Sequence, residues 1–290
     1  MARNVFSPLA DSRSSFLADW LEVAALILGR RHLSPAKARE LLASVGGDAD
    51  ATDVAMAFGE LHRRCERSLA YYPFGFSRLG IERRPGTAHH AYGLLSLASA
   101  ASTDFLELAD PSALSIALER FVADAVVGLL GPKARAVRFG YPPEPERPAS
   151  FREAHAWLGT TLGVRLLPLM GADLLRADGG IDVVGWRPHP DPLTPGPIAV
   201  VQVTWDRDLR GKSLEIAGSD FNRWYRLAPA IPVLATPADG QADPDLMVEI
   251  SGRALVLDRW RLLQCFEESR RTLAHATGAL VDSVLGELEI

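Results

Sequence analysis

The chain has 290 residues, 48% hydrophobic and 23% charged, with a formal net charge of −5 and two cysteines. With a mean hydropathy near zero, these figures exclude a disordered or collagen-like chain and supply apolar side chains for one large core or two modest ones. Cys65 and Cys265 stand far apart, with no CxxC or Cys/His spacing, which argues against a disulfide framework or a cysteine zinc site and fits a reducing cytoplasm.

The opening residues MARNVFSPLADSRSSF do not have the layout of a signal peptide, and no stretch approaches the roughly 18 apolar residues of a membrane span. The expected setting is cytoplasmic, with no membrane partner. A weakly acidic chain is a poor nucleic-acid coat protein, although a local basic groove stays open. The basic complement is 28 arginines and three lysines, Lys37, Lys133 and Lys212.

In chain order, the first hundred residues read as helical. SFLADWLEVAALILG predicts a buried helix over 15–29 that Gly29 closes. Ser34 and Pro35 suit the cap and first position of a second helix, ending at Gly46-Gly47. A third helix covers about 51–70 and carries Val54, Phe58, Leu61, Cys65 and Leu69 on one stripe, which makes Cys65 a small core residue. Arg63, Arg64, Arg67, Arg78, Arg83 and Arg84 interleave with Tyr71, Tyr72, Phe74 and Phe76. That pattern suits either a grip on single-stranded nucleic acid or a solvated arginine face with the aromatics at an interdomain corner, and the composition favours the second. His89 and His90 diverge by about 100° on a helix and cannot chelate together.

A second domain is expected from residue 110, giving a helical N-terminal domain over 1–109 and an α/β domain over 110–290. Ser112 is a ready cap for a helix carrying Leu114, Leu118, Phe121, Val122, Ala125, Val126 and Leu129, stopped by Gly131-Pro132. RAVRF (135–139) alternates as a strand, the prolines of 141–149 preclude regular structure, and Ser150 with Glu153 forms a capping box. IDVVGWR (181–187) and IAVVQVTW (198–205) read as a strand pair around a proline-rich loop, followed by a helix over 211–227 and a strand over 231–236. Two short strands over 246–257 and one long helix over 258–285 complete the expected order, which is that of an α/β unit.

Strand alternation puts Asp182 on a face with Val184 and Trp186, and Gln202 on a face with Ile198, Val200 and Thr204. In a hairpin the two polar groups converge at one end of the sheet. Buried polar groups need partners, so each either hydrogen-bonds internally or lines a site. Asp182 has an alternative in a turn amide near Gly179 or Gly180, Gln202 as a satisfied core amide, and Glu119 as a solvated side chain. Lys212 has one as a surface residue, although a helix N-terminus is a poor place for a cation. His189 and Asp191 lie in the proline loop, where His189 suits either phosphate contact or simple exposure.

The strand Asp182, followed by Gln202 two positions before the place of a lysine, resembles the pattern of the PD-(D/E)XK, or restriction-endonuclease-like, nuclease superfamily. GGIDVVGWRPHPD and VVQVTW are similar to a bacterial branch often associated with anti-phage defence, whose members read roughly D-V-V-A-W-(K/R)-P-F-P-D and then G-Q-C-A-T-G. RFGYPPEPERPASF and GRALVLDRWRLL extend the likeness patchily over about 112–265. The resemblance implies a restriction-endonuclease-like core of helix, mixed sheet and helix, and Mg²⁺- or Mn²⁺-dependent hydrolysis of DNA, with RNA as a further substrate class and a protein partner or homo-oligomer in a defence complex. It implies that Asp182 and the helix-borne Glu119 hold the metal, that Gln202 occupies the second acidic position, and that Lys212 replaces the lysine missing at Thr204. The departures at Gln202 and Thr204 keep a second reading open, a catalytically degenerate nuclease fold that binds nucleic acid or a protein as a scaffold.

Overall fold

The structure, a computed structural model, describes residues 14–29, 32–44, 50–67, 71–84, 90–102, 108, 110–169, 179–190, 195–206 and 208–288. In chain order the elements are α1 (Ser14–Leu28), α2 (Pro35–Ser44), α3 (Ala51–Arg67), β1 (Phe74–Ser77), β2 (Gly80–Arg83), α4 (His90–Ala101), α5 (Pro111–Leu130), β3 (Arg135–Arg138), α6 (Phe151–Leu162) and β4 (Arg165–Leu166). They continue with β5 (Val183–Trp186), β6 (Ile198–Val203), α7 (Leu209–Ala217), α8 (Phe221–Trp224), β7 (Tyr225–Arg226), β8 (Ile231–Ala235), α9 (Pro244–Ser251), β9 (Leu255–Leu257), α10 (Arg259–Ser269) and α11 (His275–Glu287). The chain is mixed α/β. It forms two compact units, neither contiguous: unit 1 is Met1–Leu118, Pro237–Ala242 and Thr272–Ile290, and unit 2 is Glu119–Thr236 and Asp243–Arg271.

In unit 1, α1 packs against α3 and α4, and α4 against α11. α1 is buried from Leu17 to Leu26, including Asp19 and Glu22. This part of the chain is not wholly helical, because β1 and β2 form an antiparallel hairpin. Gly80 carries its turn at φ 120°, and a Cβ there would fall 2.1 Å from the Leu33 carbonyl oxygen, so only glycine fits. Tyr72 and Phe74 are buried in the core of unit 1, edge-on to Tyr92. That burial leaves these two rings no exposed face on which a nucleobase could stack. Arg64, read in sequence as part of a solvated face, is buried as well. His89 lies outside the described residues, while His90 pairs with Asp282 at 3.1 Å.

Unit 2 is built on a five-stranded sheet of order β3-β5-β6-β8-β9. The first three strands pair antiparallel, and β6, β8 and β9 pair parallel. A parallel step needs a crossover, which α7 and α8 supply between β6 and β8. The face bearing Val184, Trp186, Ile198 and Val200 packs into a core with Phe151, Leu158, Ile216, Phe221 and Trp224 from α6, α7 and α8. On the other face α5 approaches closely: a Cβ at Gly185 would fall 2.3 Å from Val126 Cγ1, and one at Gly128 would fall 1.8 Å from the Cys265 carbonyl oxygen on α10.

Several boundaries differ from the sequence expectation. Asp110, not Ser112, caps α5, accepting the Ala113 N–H at 3.0 Å. The helix expected over 211–227 ends at Ala217 and gives way to α8 and β7. Residues 244–251 are helical because Asp243 caps α9, accepting the Leu246 N–H, with Pro244 in the first turn. The single long C-terminal helix is two, interrupted where Arg270 turns to φ 56°. Cys265 lies on α10, and burial pushes its thiol up to about 11.

Candidate functional site

The segment leading into β5 is shaped by two glycines. Gly179 and Gly180 take φ of 70° and 75°, and a Cβ at Gly179 would lie 2.3 Å from the ring of Trp224. The chain then reaches Asp182, half-buried at the start of the strand. The β5–β6 register pairs Val184 with Val200 and Val183 with Val201, so its continuation brings Asp182 beside Gln202 on the face shared with Trp186 and Ile198. The Asp182 N–H donates to the Val201 carbonyl at 2.9 Å. Its own carbonyl accepts N–H groups of Phe139 and Gly140 at 2.6 and 3.0 Å. Its carboxylate Oδ2 accepts the Val203 N–H at 2.7 Å. The main chain of three strands therefore sets the position of this side chain.

Glu119 projects from α5 and is buried. Arg138 on β3 faces it, with Nε 2.6 Å from Glu119 Oε2, and Arg138 Nη1 donates to the Pro142 carbonyl at 2.6 Å. Glu119 also approaches Asp182. A Cβ on Gly140 would fall 2.5 Å from Glu119 Oε2 and 3.2 Å from Asp182 Oδ1. A methyl at Gly140 would therefore press on both carboxylates, which lie close to that position.

Gln202 is buried at 7% exposure. Its Nε2 donates to Glu215 Oε2 on α7 at 3.0 Å. A carboxylate only accepts, so this contact also decides which amide atom faces Glu215. The other amide atom, Oε1, is buried with no hydrogen-bond partner among the described residues. Such an atom carries a desolvation cost of about 1–3 kcal/mol unless something else meets it.

Lys212 lies in the first turn of α7, which Asp208 caps through the Gly211 N–H. The helix dipole disfavours a cation there, and Glu215 compensates. Lys212 Nζ donates to Glu215 Oε2 at 3.0 Å. This hydrogen bond holds the Lys212 pKa above the usual lysine range, with Asp206 and Asp182 adding through-space attraction. Glu215 is held below the usual carboxylate range, first by the Gln202 hydrogen bond and then by that of Lys212.

The structure brings Glu119 and Asp182 together at Gly140, and Gln202 and Lys212 together at Glu215, with Lys212 within electrostatic reach of Asp182. Thr204 is buried. Its hydroxyl accepts the Asp206 N–H at 2.9 Å, and its main chain donates to Ala235, so it supplies no cation. His189 is exposed, and Asp191 lies outside the described residues. Sequence reasoning passed over Arg138 and Glu215. The signal for Glu215 was the Lys-x-x-Glu spacing on a helix; the pairing of Arg138 with Glu119 is tertiary and leaves no local trace.

Among the described residues, no three His, Cys, Asp or Glu side chains form a group that could hold a metal ion. Unit 2 offers two carboxylates and an amide oxygen. All are hard oxygen donors, and Mg²⁺ commonly takes one or two carboxylates and keeps several waters. In donor chemistry this set suits such an ion: Gln202 Oε1 has no hydrogen-bond partner among the described residues, while Glu119 is engaged by Arg138. Comparison of the chain with protein-family models, curated proteins and solved structures finds no match.

Proposed function

We propose that unit 2 is the core of a Mg²⁺- or Mn²⁺-dependent nuclease of the PD-(D/E)XK kind, hydrolysing DNA phosphodiesters. Its resemblance to a defence-associated bacterial branch favours a role against phage. The observation that supports this reading is the pair of neighbouring groups at one end of the mixed sheet, Glu119 with Asp182 at Gly140 and Gln202 with Lys212 at Glu215, with Lys212 within electrostatic reach of Asp182. The succession of α5, mixed sheet and α10 also supports a restriction-endonuclease-like core.

Glu119, Asp182 and the Gln202 amide oxygen would hold the ion, which when bound supplies Lewis-acid stabilisation of charge on phosphate and lowers the pKa of water. Lys212 has a narrower part. Because Glu215, Asp206 and Asp182 favour its charged form, it serves as a permanent ammonium that orients a water or a phosphate oxygen, and does not take the proton from water. Asp182, fixed through its main chain on both sides, keeps its carboxylate oriented without reorganisation.

Incubating purified protein with plasmid DNA, single-stranded DNA and RNA in the presence of Mg²⁺ or Mn²⁺ tests this reading. Metal-dependent cleavage that disappears in Asp182→Ala is expected; cleavage that survives Asp182→Ala contradicts it.

Two observations favour a second reading, a catalytically degenerate subunit that binds nucleic acid or a protein partner. Arg138 already neutralises Glu119, and Thr204 stands where the resemblance expects lysine. This reading expects no turnover and no metal-dependent thermal shift. Turnover abolished by Lys212→Ala eliminates it.

A further inference from the structure

Glu215 joins two residues that the nuclease reading treats separately. Its Oε2 accepts from both Gln202 Nε2 and Lys212 Nζ, each at 3.0 Å. The Gln202 contact has a chemical consequence. A glutamine amide presents either a donor or an acceptor in a given direction, and 180° flips interconvert the two. Glu215 removes that choice, because turning Oε1 toward it would set two acceptors against each other. The donor end is engaged, and the acceptor end is left buried and, among the described residues, unpartnered.

We infer that Glu215 is a positioning residue which holds Gln202 with its carbonyl oxygen presented as a neutral metal ligand and anchors Lys212 at the same time. The inference rests on the nuclease reading. It explains how a neutral amide serves at a position where an acid is expected: the negative charge sits one hydrogen bond further out, on α7, where it also compensates the lysine in the first turn. Outer partners of this kind orient ligands, and losing one typically costs 10–100-fold in metal affinity.

The test uses the full chain and Mn²⁺ alone, with affinity read by electron paramagnetic resonance and the Gln202 side-chain amide followed by ¹⁵N NMR before metal is added. In Glu215→Ala the Gln202 amide resonances move toward those of unrestrained glutamines, and Mn²⁺ affinity falls by about tenfold or more. Glu215→Gln weakens Mn²⁺ binding as well. The double exchange Gln202→Glu with Glu215→Gln recovers it, since the hydrogen bond re-forms with its direction reversed and an oxygen is still presented. A merely structural glutamate predicts no such recovery.

Two failures are distinguishable. If the wild-type protein binds Mn²⁺ and cleaves DNA, yet Glu215→Gln binds Mn²⁺ equally well or the Gln202 amide signal does not move in Glu215→Ala, the inference is overturned and the nuclease reading stands. If the wild-type protein neither binds Mn²⁺ nor cleaves, the nuclease reading falls and takes the inference with it.

Discussion

Both units place charged side chains among apolar ones, and they close them off differently. In unit 1 the buried Arg64 lies 2.7 Å from Asp19, 2.9 Å from Glu22, and 3.2 Å from both Glu60 and Asp239. Its remaining nitrogen donates to the Ser15 carbonyl. The Tyr72 and Tyr92 hydroxyls donate to Glu22, and Ser99 donates to Asp19. In unit 2 the group around Asp182, Lys212 and Glu215 is partly exposed, and Gln202 Oε1 has no hydrogen-bond partner among the described residues. The Arg64 cluster pairs its own donors and acceptors, whereas the group around Gln202 leaves one oxygen for a further partner. Residue types alone do not separate the two cases; the completeness of pairing does.

The largest expected effect lies in the closed cluster. Arg64→Met leaves four carboxylates around a missing cation and should destabilise unit 1 by about 3–5 kcal/mol, measured by urea denaturation. Arg64→Lys should recover only part of this, because a point charge cannot reproduce the guanidinium fork. Near-wild-type stability in Arg64→Met would remove the contrast between the units.

Two glycines sharpen the comparison within unit 2. Gly128→Ala drives a methyl into the α10 backbone at Cys265 and should cost about 1–3 kcal/mol, with no direct effect on metal. Gly140→Ala should do the reverse. Its methyl meets the carboxylate end of Glu119, so Mn²⁺ affinity falls by more than the denaturation midpoint moves. If Gly140→Ala lowers stability and leaves Mn²⁺ binding intact, the approach of Glu119 and Asp182 at Gly140 is packing and not a site.

A smaller effect concerns pH. The folded-state pKa of Glu215 is lowered from its ordinary value of 4.5, so the unfolded chain binds more protons in the window just below that value. The contribution of Glu215 to stability is complete above 4.5 and is lost as pH falls through the depressed value. Glu215→Gln should therefore flatten the acid limb of the melting-temperature profile. Lys212 has the opposite sense, its contribution being present below its ordinary 10.5 and lost as pH rises through the raised value.

Residues whose placement follows a local rule were legible in the sequence. The β5–β6 pair with Asp182 and Gln202 at one end follows from period-two alternation, and the Ser150–Glu153 cap of α6 from its spacing. Asp243 and Pro244 have the residue types of a helix cap and first turn, a signal the strands expected over 246–257 did not use. The β1–β2 hairpin escaped because strands as short as FGFS and GIER show too little alternation. The break between α10 and α11 escaped because Arg270, and not a glycine, takes the left-handed conformation there. At the candidate site the residues on β5 and β6 were visible, whereas the Arg138–Glu119 and Glu215–Gln202 contacts join distant elements through long side chains.

The most direct measurement is an anomalous diffraction map of crystals soaked in Mn²⁺. The account predicts a peak coordinated by Glu119, Asp182 and Gln202 Oε1 beside Gly140, absent in crystals of Asp182→Ala. Well-ordered wild-type crystals at saturating Mn²⁺ with no peak there, and Gln202 still bonded only to Glu215, would contradict it.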